Sequence, residues 1–447
     1  MNKIFSIAFL CSAALSFTAC VNEEDDLFDK SAAERLNEAS ALYSERLTAS
    51  PNGWAVQLYP TTQDESPYGN GYLLMFRFHK DKSVDASMNN SLSDGKYITD
   101  TSSWDVITDN GPVLTFNTYN KVVHTFSDPE DLSSTGTKDN PNDETGTGLG
   151  GDYEFIIVDA PEDASYMMLK GKKRGTYNLL TPVPEGIDYE SYLGDVKNFQ
   201  ATMFPANNPA DNYYHFGDSV FVFADGGTGV PAIYPVGSDR VTSSGFNPFL
   251  ITKRDNEYYL RFRDSKALGD KSIQEYRYDA EKDQFISDED PSCYICGEDP
   301  LTFIDSNLLA GNTWKMTSTT AASESVEEIY REVVNGFRSL KLTFNGINIS
   351  TDKNGNATLK FTYRQGNNSS SSDFNFSYQK NDDGIAFHYE SASAASQNVL
   401  KSVPAIQKIL DLFSQKLKVA AGTTSFNLRT IKLVPENNPD GWFVISL

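Results

Sequence analysis

The chain has 447 residues, too many for a single core, and its 22% charged and 39% hydrophobic content is that of a globular protein. A formal net charge of −23 repels phosphate backbones and anionic headgroups, which excludes nucleic acid as a partner and leaves a membrane reachable only through an anchor. Aromatics make up 12%, with 23 Tyr and 28 Phe, and favour strands.

Residues 1–19 read as a leader. Lys3 gives one positive charge, residues 4–17 form an apolar run too short to span a bilayer, and Ser16-Phe17-Thr18-Ala19 brings small residues to a cut before Cys20. A cysteine at that place makes a lipoprotein signal, with Cys20 as the lipid attachment site. The acidic run Glu23-Glu24-Asp25-Asp26 in the tether of residues 20–30 resembles the export signal of surface lipoproteins. The expected location is the exposed surface of an outer membrane, held only by the lipid. No later stretch reaches the ~20 apolar residues of a spanning helix.

After the tether, Ser31 with Glu34 three residues on predicts a capped helix, and Leu36, Ala39, Tyr43 and Leu47 give it one apolar face. From Trp54 the period changes to two. Strands are expected at residues 54–59, 72–78, 104–107, 113–119, 122–126, 153–158 and 166–171, with a polar, acidic insertion at 127–151. Pro182-Val183-Pro184 reads as a linker, residues 188–199 as a helix, and residues 213–216, 220–223, 249–252, 258–263 and 273–278 as strands. Residues 288–300 read as an acidic boundary loop. Beyond it come helices at 325–334 and 399–413, the second with Pro404 in its first turn or kinking it. Strands are expected at 340–349 and 357–363 around Asn354-Gly355, the strongest hairpin signal in the chain, and at 374–378, 385–389, 426–434 and 442–445. Trp54, Trp314 and Trp442 each open a strand soon after a glycine and are expected to be buried.

The fold class is therefore mainly β with a few helices: antiparallel meanders forming lipocalin-like barrels or sandwiches in two or three units. The expected units are a β-rich domain at residues 31–184, a second β-rich unit at 185–300 and a β-rich domain with two helices at 301–447.

Catalytic signatures are missing: there is no His-Glu-x-x-His, Gly-x-Ser-x-Gly or Ser-x-x-Lys. Gly146-Thr147-Gly148-Leu149-Gly150-Gly151 matches the dinucleotide fingerprint, but a loop enters it and a strand leaves, the wrong context for cradling pyrophosphate. Asp352-Lys353-Asn354-Gly355-Asn356 starts like a calcium loop, yet Tyr363 stands where the bidentate glutamate belongs. No cofactor is expected, although the carboxylates Asp128, Glu130, Asp131, Asp139, Asp143, Glu144 and Asp152 are dense enough to suit calcium. Of the four cysteines, Cys293 and Cys296 form a Cys-x-x-Cys that reads as a local disulfide, two free thiols, half a metal site or a redox pair. His124 alternates with apolar neighbours as a strand histidine or a ligand-binding one. With Asp128, Asp152 and Trp104 it makes the candidate binding set, since aromatic faces bind apolar sugar faces.

Several stretches, in order, resemble the family called domain of unknown function 4302 in surface lipoproteins of the Bacteroidota. They are Asp29-Lys30-Ser31-Ala32-Ala33-Glu34-Arg35, Asn52-Gly53-Trp54, Gly71-Tyr72, Met75-Phe76-Arg77-Phe78, Gly111-Pro112-Val113-Leu114-Thr115-Phe116-Asn117-Thr118-Tyr119-Asn120, His124-Thr125-Phe126-Ser127-Asp128-Pro129, Gly148-Leu149-Gly150-Gly151-Asp152-Tyr153-Glu154-Phe155 and Leu169-Lys170-Gly171-Lys172-Lys173. The resemblance covers roughly residues 29–185 and implies no catalytic residues, because the family carries no assigned activity. It implies a context: an accessory lipoprotein of a SusC/SusD-type outer-membrane importer. The function expected is non-catalytic binding or presentation of a glycan or peptide polymer. The alternatives are a scaffold subunit of the importer or a hydrolase with spatially paired carboxylates.

Overall fold

Period-two patterns dominate from Trp54 onward, and they build three eight-stranded antiparallel sheets, two of them closed barrels. The computed structural model describes residues 30–109, 111–128, 148–238 and 245–447. The leader, Cys20, the acidic run and Glu130 through Glu144 lie outside the described residues, as do Gly146 and Thr147.

The first barrel comprises β1 (Trp54–Leu58), β2 (Tyr72–Phe78), β3 (Ser83–Met88), β4 (Ile98–Asp109), β5 (Gly111–Phe116), β6 (Glu154–Asp159), β7 (Met167–Gly171) and β8 (Tyr177–Pro182). Val56 of β1 lies opposite Leu74 of β2 on one side and Leu180 of β8 on the other, which closes the ring and leaves no sheet edge. Trp54, Val56, Leu74, Phe76, Phe116 and Leu180 fill its interior. Helix α1 (Ala32–Ala49) carries the expected capping box of Ser31 and Glu34, and its Leu47 carbonyl accepts the Trp54 indole N–H at 2.8 Å.

One expected strand is a helix. Residues 122–126 were expected to extend, but Asn120 Oδ1 accepts the backbone N–H groups of Val122 at 2.9 Å and Val123 at 3.2 Å. That cap nucleates a single turn, α2 (Lys121–His124), which still buries Val122, Val123 and nearby Phe126.

The middle sheet runs β11–β10–β9–β16–β15–β14–β13–β12, with β9 (Asn212–Phe216), β10 (Ser219–Ala224), β11 (Ala232–Pro235), β12 (Phe249–Arg254), β13 (Glu257–Leu268), β14 (Lys271–Asp279), β15 (Gln284–Ile286) and β16 (Tyr294–Gly297). The 288–300 stretch is thus not wholly a loop: β16 pairs with β9 and β15 inside the sheet. Helix α3 (Tyr189–Met203) buries Tyr189, Tyr192, Leu193 and Val196 in the cluster that also takes in Ala55 and Met75 from the outer face of the first barrel. Tyr189 Oη donates to the Asn52 carbonyl at 2.6 Å. Gly53, at φ +73°, allows this approach, because a Cβ there would stand 2.2 Å from Tyr189 Oη and Phe76 O.

The second barrel contains β17 (Trp314–Met316), β18 (Thr343–Thr351), β19 (Asn356–Gln365), β20 (Asn368–Asn381), β21 (Gly384–Ala392), β22 (Lys416–Ala421), β23 (Thr430–Pro435) and β24 (Phe443–Ser446), closed by β17 against β24. Its helices are α4 (Pro300–Leu309), α5 (Glu324–Ser339), α6 (Ala394–Ser402) and α7 (Ala405–Phe413). Pro404 separates α6 from α7: Val403 before it leaves the helical region at φ −127°, ψ 75°, so the expected continuous 399–413 helix is two. The β18–β19 hairpin forms at Asn354-Gly355, with Asp352 Oδ1 accepting from the Asn354 and Asn356 backbones. Trp54 and Trp314 are fully buried. Trp442 is only half-buried, because it precedes β24 and its ring lies under Lys432 Nζ at 4.2 Å.

Between β22 and β23 the chain leaves the second barrel and enters the middle sheet's core, where Phe426 packs with Phe204 and Phe285. Asp283 accepts Thr424 Oγ1 at 2.8 Å and the Ser425 N–H at 2.5 Å. Among the described residues no helix is long and apolar enough to cross a membrane.

Candidate functional site

The expected binding set divides. His124 lies between the rings of Tyr119 and Tyr153, at centroid distances of 5.3 and 5.4 Å, and Tyr119 Oη donates to Asp128 at 3.1 Å. His124 and Asp128 are thus brought together at one aromatic stack. Burial lowers the His124 pKa, against the opposing pull of the Asn120 backbone and Asp128. Asp152 turns away: its carboxylate accepts the backbone N–H groups of Lys173 at 3.1 Å and Arg174 at 2.8 Å and so holds the β7–β8 turn. Its pKa is raised by burial, opposed by those two N–H groups. Trp104 is a core residue, 1% exposed, packed edge-on against Phe78 at 4.9 Å and donating to the Ser83 carbonyl.

Cys293 and Cys296 are free thiols, the first buried and the second half-buried. Cys296 is within β16 and Cys293 immediately precedes it, so three extended steps along the chain set them about 10 Å apart, beyond the reach of a disulfide. Burial pushes the Cys296 thiol up to about 11. Among the described residues no three His, Cys, Asp or Glu side chains group as metal ligands.

A cleft of about 850 Å³ lies elsewhere, between the first barrel and the middle sheet. One wall is the outer face of β7 and β8. Leu180 points into the barrel, so Leu179, Thr181 and Tyr177 stand on the outside by strand alternation. The other wall is the outer face of β13 and β14. Leu260 and Phe262 enter the middle core, which leaves Arg261 on the opposite face, opposite Leu250 of β12 and Glu275 of β14.

Arg261 is 9% exposed. Its Nη2 donates to Gln274 Oε1 at 2.7 Å, and among the described residues it makes no ion pair. The Gln274 amide nitrogen donates to the carbonyls of Phe262 and Arg263 at 3.0 and 2.9 Å, which fills the irregularity between Arg261 and Lys266 and fixes the amide's orientation. Burial lowers the Arg261 pKa, partly offset by Tyr59, Glu275 and Glu289; a guanidinium stays protonated through such a shift. The other two arginines of the cleft are engaged. Arg254 pairs with Glu275, and Arg263 bonds Asp64 at 2.6 Å and Asp264 at 2.7 Å. Thr181 Oγ1 is buried without a partner.

This cleft was not in the sequence reading. The signal was the alternation Leu260-Arg261-Phe262-Arg263, which says that the arginines share a face but not that a barrel covers it.

Residues 24–216 match a family model described as Domain of unknown function (DUF4302). The match covers the N-terminal part of the chain. The DUF4302 region spans the first barrel, α3 and β9, so it supplies the Thr181 wall of the cleft, and the Arg261 wall lies outside it. No curated protein matches the chain. Among solved structures, intact Ap-TbpB with its N and C lobes is similar at 10% identity and a TM-score of 0.13, over 85% of this chain and 66% of that one. The chain therefore spans just under two thirds of that protein. The DNA polymerase III subunit beta from Pseudomonas aeruginosa is similar at 8% identity and a TM-score of 0.15, over 92% and 97% of the two chains. A variant of transferrin binding protein B from Haemophilus parasuis Hp5 is similar at 9% identity and a TM-score of 0.13, over 88% and 74%. Likenesses at these scores carry no argument about function.

Proposed function

We propose that this protein is a non-catalytic surface lipoprotein, anchored through Cys20, that captures a ligand in the cleft for an outer-membrane importer of the SusC/SusD type. The observation that carries the reading is the cleft of about 850 Å³, a volume within the range of small-ligand sites, set between two β units and holding a guanidinium that makes no ion pair among the described residues. The Lys3-to-Cys20 leader and the Glu23–Asp26 acidic run support the address.

A binding role fits the cleft better than hydrolysis. Glu275 is held by Arg254, Asp264 by Arg263, Asp159 by Tyr166 and Glu289 by Ser287, so each carboxylate already accepts a charged or hydroxyl donor. General acid–base work needs a pair with proton-transfer access to substrate.

The test is made on intact cells, comparing a tagged chain with its Cys20→Ala variant. Protease shaving of the wild type and recovery of an importer with it are the expected results. A wild-type protein that resists shaving sinks the surface location, and its recovery without an importer sinks the uptake role.

A further inference from the structure

Resting on the capture reading above, we infer that the cleft takes a ligand presenting one carboxylate beside an apolar ring face, as a uronic acid does, and that Arg261 holds the carboxylate. A charge as buried as that of Arg261, 9% exposed, is costly unless it is paired, and buried arginines are nearly always paired. Among the described residues the Arg261 side chain bonds only the neutral Gln274 amide, and Glu275 and Glu289 act on it without forming an ion pair, while its two arginine neighbours are each paired with carboxylates. The missing partner is an anion, and the planar fork of a guanidinium matches a carboxylate with two parallel bonds.

The facing wall carries a matching group. Thr181, 2% exposed, leaves Oγ1 unpartnered at the same cleft. Its Oγ1 is itself covered, so Thr181 reaches a carboxylate oxygen by turning its side chain to another rotamer, and its hydroxyl hydrogen then rotates to suit the acceptor. Tyr177 on that wall is 52% exposed and offers an aromatic face to an apolar ring surface. The number of charges on the ligand is limited by the same cleft. Glu275, Glu289, Asp159 and Asp264 line it, and the whole chain carries −23, so a dense polyanion is repelled where a single carboxylate is not.

The experiment uses residues 20–447 with Cys20→Ser, titrated calorimetrically with digalacturonic acid, its dimethyl ester, the dipeptide Gly-Phe and the Gly-Phe amide. Digalacturonic acid is expected to bind, and its ester to bind at least about thirtyfold more weakly, the lower range for losing one member of a buried charge pair. Arg261→Gln is expected to remove the acid-over-ester preference, and Thr181→Val to weaken the acid by about fivefold to tenfold. Tyr177→Ala changes an exposed side chain and keeps the fold, so it reads the ring contact even if Arg261→Gln does not fold. Equal binding of acid and ester overturns the carboxylate assignment and leaves capture standing. Binding of Gly-Phe in preference to its amide, without binding of the sugar acid, overturns the uronate assignment and moves the carboxylate to a peptide end. If none of the four probes binds, the ligand class is overturned, and importer recovery from cells decides the capture reading separately.

Discussion

The ring of Phe426 stands edge-on to that of Phe285, with centroids 5.6 Å apart and planes at 80°, although one residue follows a strand of the second barrel and the other lies in the middle sheet. Phe204 meets the same ring at 5.5 Å, and Asn208 Nδ2 donates to the Phe426 carbonyl at 2.6 Å. The two units are therefore joined by a shared core. Phe426→Ala removes a fully buried ring and is expected to cost about 3–5 kcal/mol. It should also separate unfolding of the second barrel from the rest in calorimetry. A loss below about 1 kcal/mol with one unchanged transition would refute the shared core.

The same junction explains one glycine. A Cβ on Gly297 would stand 2.0 Å from the Ser425 carbonyl carbon, so the chain entering from the second barrel passes directly over β16. Gly297→Ala is expected to destabilise by about 1–3 kcal/mol through overpacking, and to act non-additively with Phe426→Ala because both disturb one contact. Chemical denaturation of the two single variants and the double variant measures this. Strict additivity would place the two residues in independent environments.

The strands with clean alternation were legible: residues 72–78 and the 354–355 hairpin lie where their patterns put them. Others were too short or too polar to stand out. Ser83–Met88 has only Val84, Ala86 and Met88 on its inner face, and Tyr294–Gly297 contributes one fully buried isoleucine among acids and cysteines. His124 was misplaced because five residues of alternation were outweighed by the Asn120 cap beside them. The cleft was illegible for a different reason. Thr181 and Arg261 sit at positions that strand alternation assigns to solvent, and the packing of α3 with both β units, with direct contacts such as Arg263 to Asp64, turns those faces toward one another.

Asp152 should behave as a turn anchor and not as a ligand group. Asp152→Ala leaves the N–H groups of Lys173 and Arg174 without their acceptor, and is expected to cost about 1–3 kcal/mol. Binding of any cleft ligand should be unchanged once the variant is folded. A variant of wild-type stability that loses ligand binding would reverse the assignment.

The thiols are expected to be present and slow. In the Cys20→Ser chain lacking residues 1–19, both Cys293 and Cys296 should alkylate fully after denaturation without prior reductant. In the native state near pH 7.5 Cys296 should react sluggishly, because a thiol pushed up to about 11 holds little thiolate. Mass spectrometry of the alkylated protein counts the modified cysteines. A requirement for reductant would mean that the two are joined, which the extended path between them does not allow.

His124 supplies a pH dependence with a defined sign. Its folded pKa lies below the ordinary 6.5, because burial disfavours the imidazolium and outweighs the opposing pull of the Asn120 backbone and Asp128. Above the unfolded value neither state is protonated and the histidine leaves stability unchanged. As the pH falls through about 6.5 the unfolded chain takes a proton that the folded site resists, so stability is lost on the acid side until the folded pKa is passed. The ring is only half-buried, and solvent screening keeps the loss below about 1 kcal/mol. His215, stacked on Tyr294 at 4.1 Å and also lowered by burial, adds a change of the same sign. NMR titration should find both rings below 6.5, and the His124→Gln and His215→Asn variants together should flatten the slope of denaturation free energy between about pH 7 and 5. A His124 resonance titrating above 6.5 would mean that Asp128 outweighs burial at the stack, and would reverse the direction of that slope.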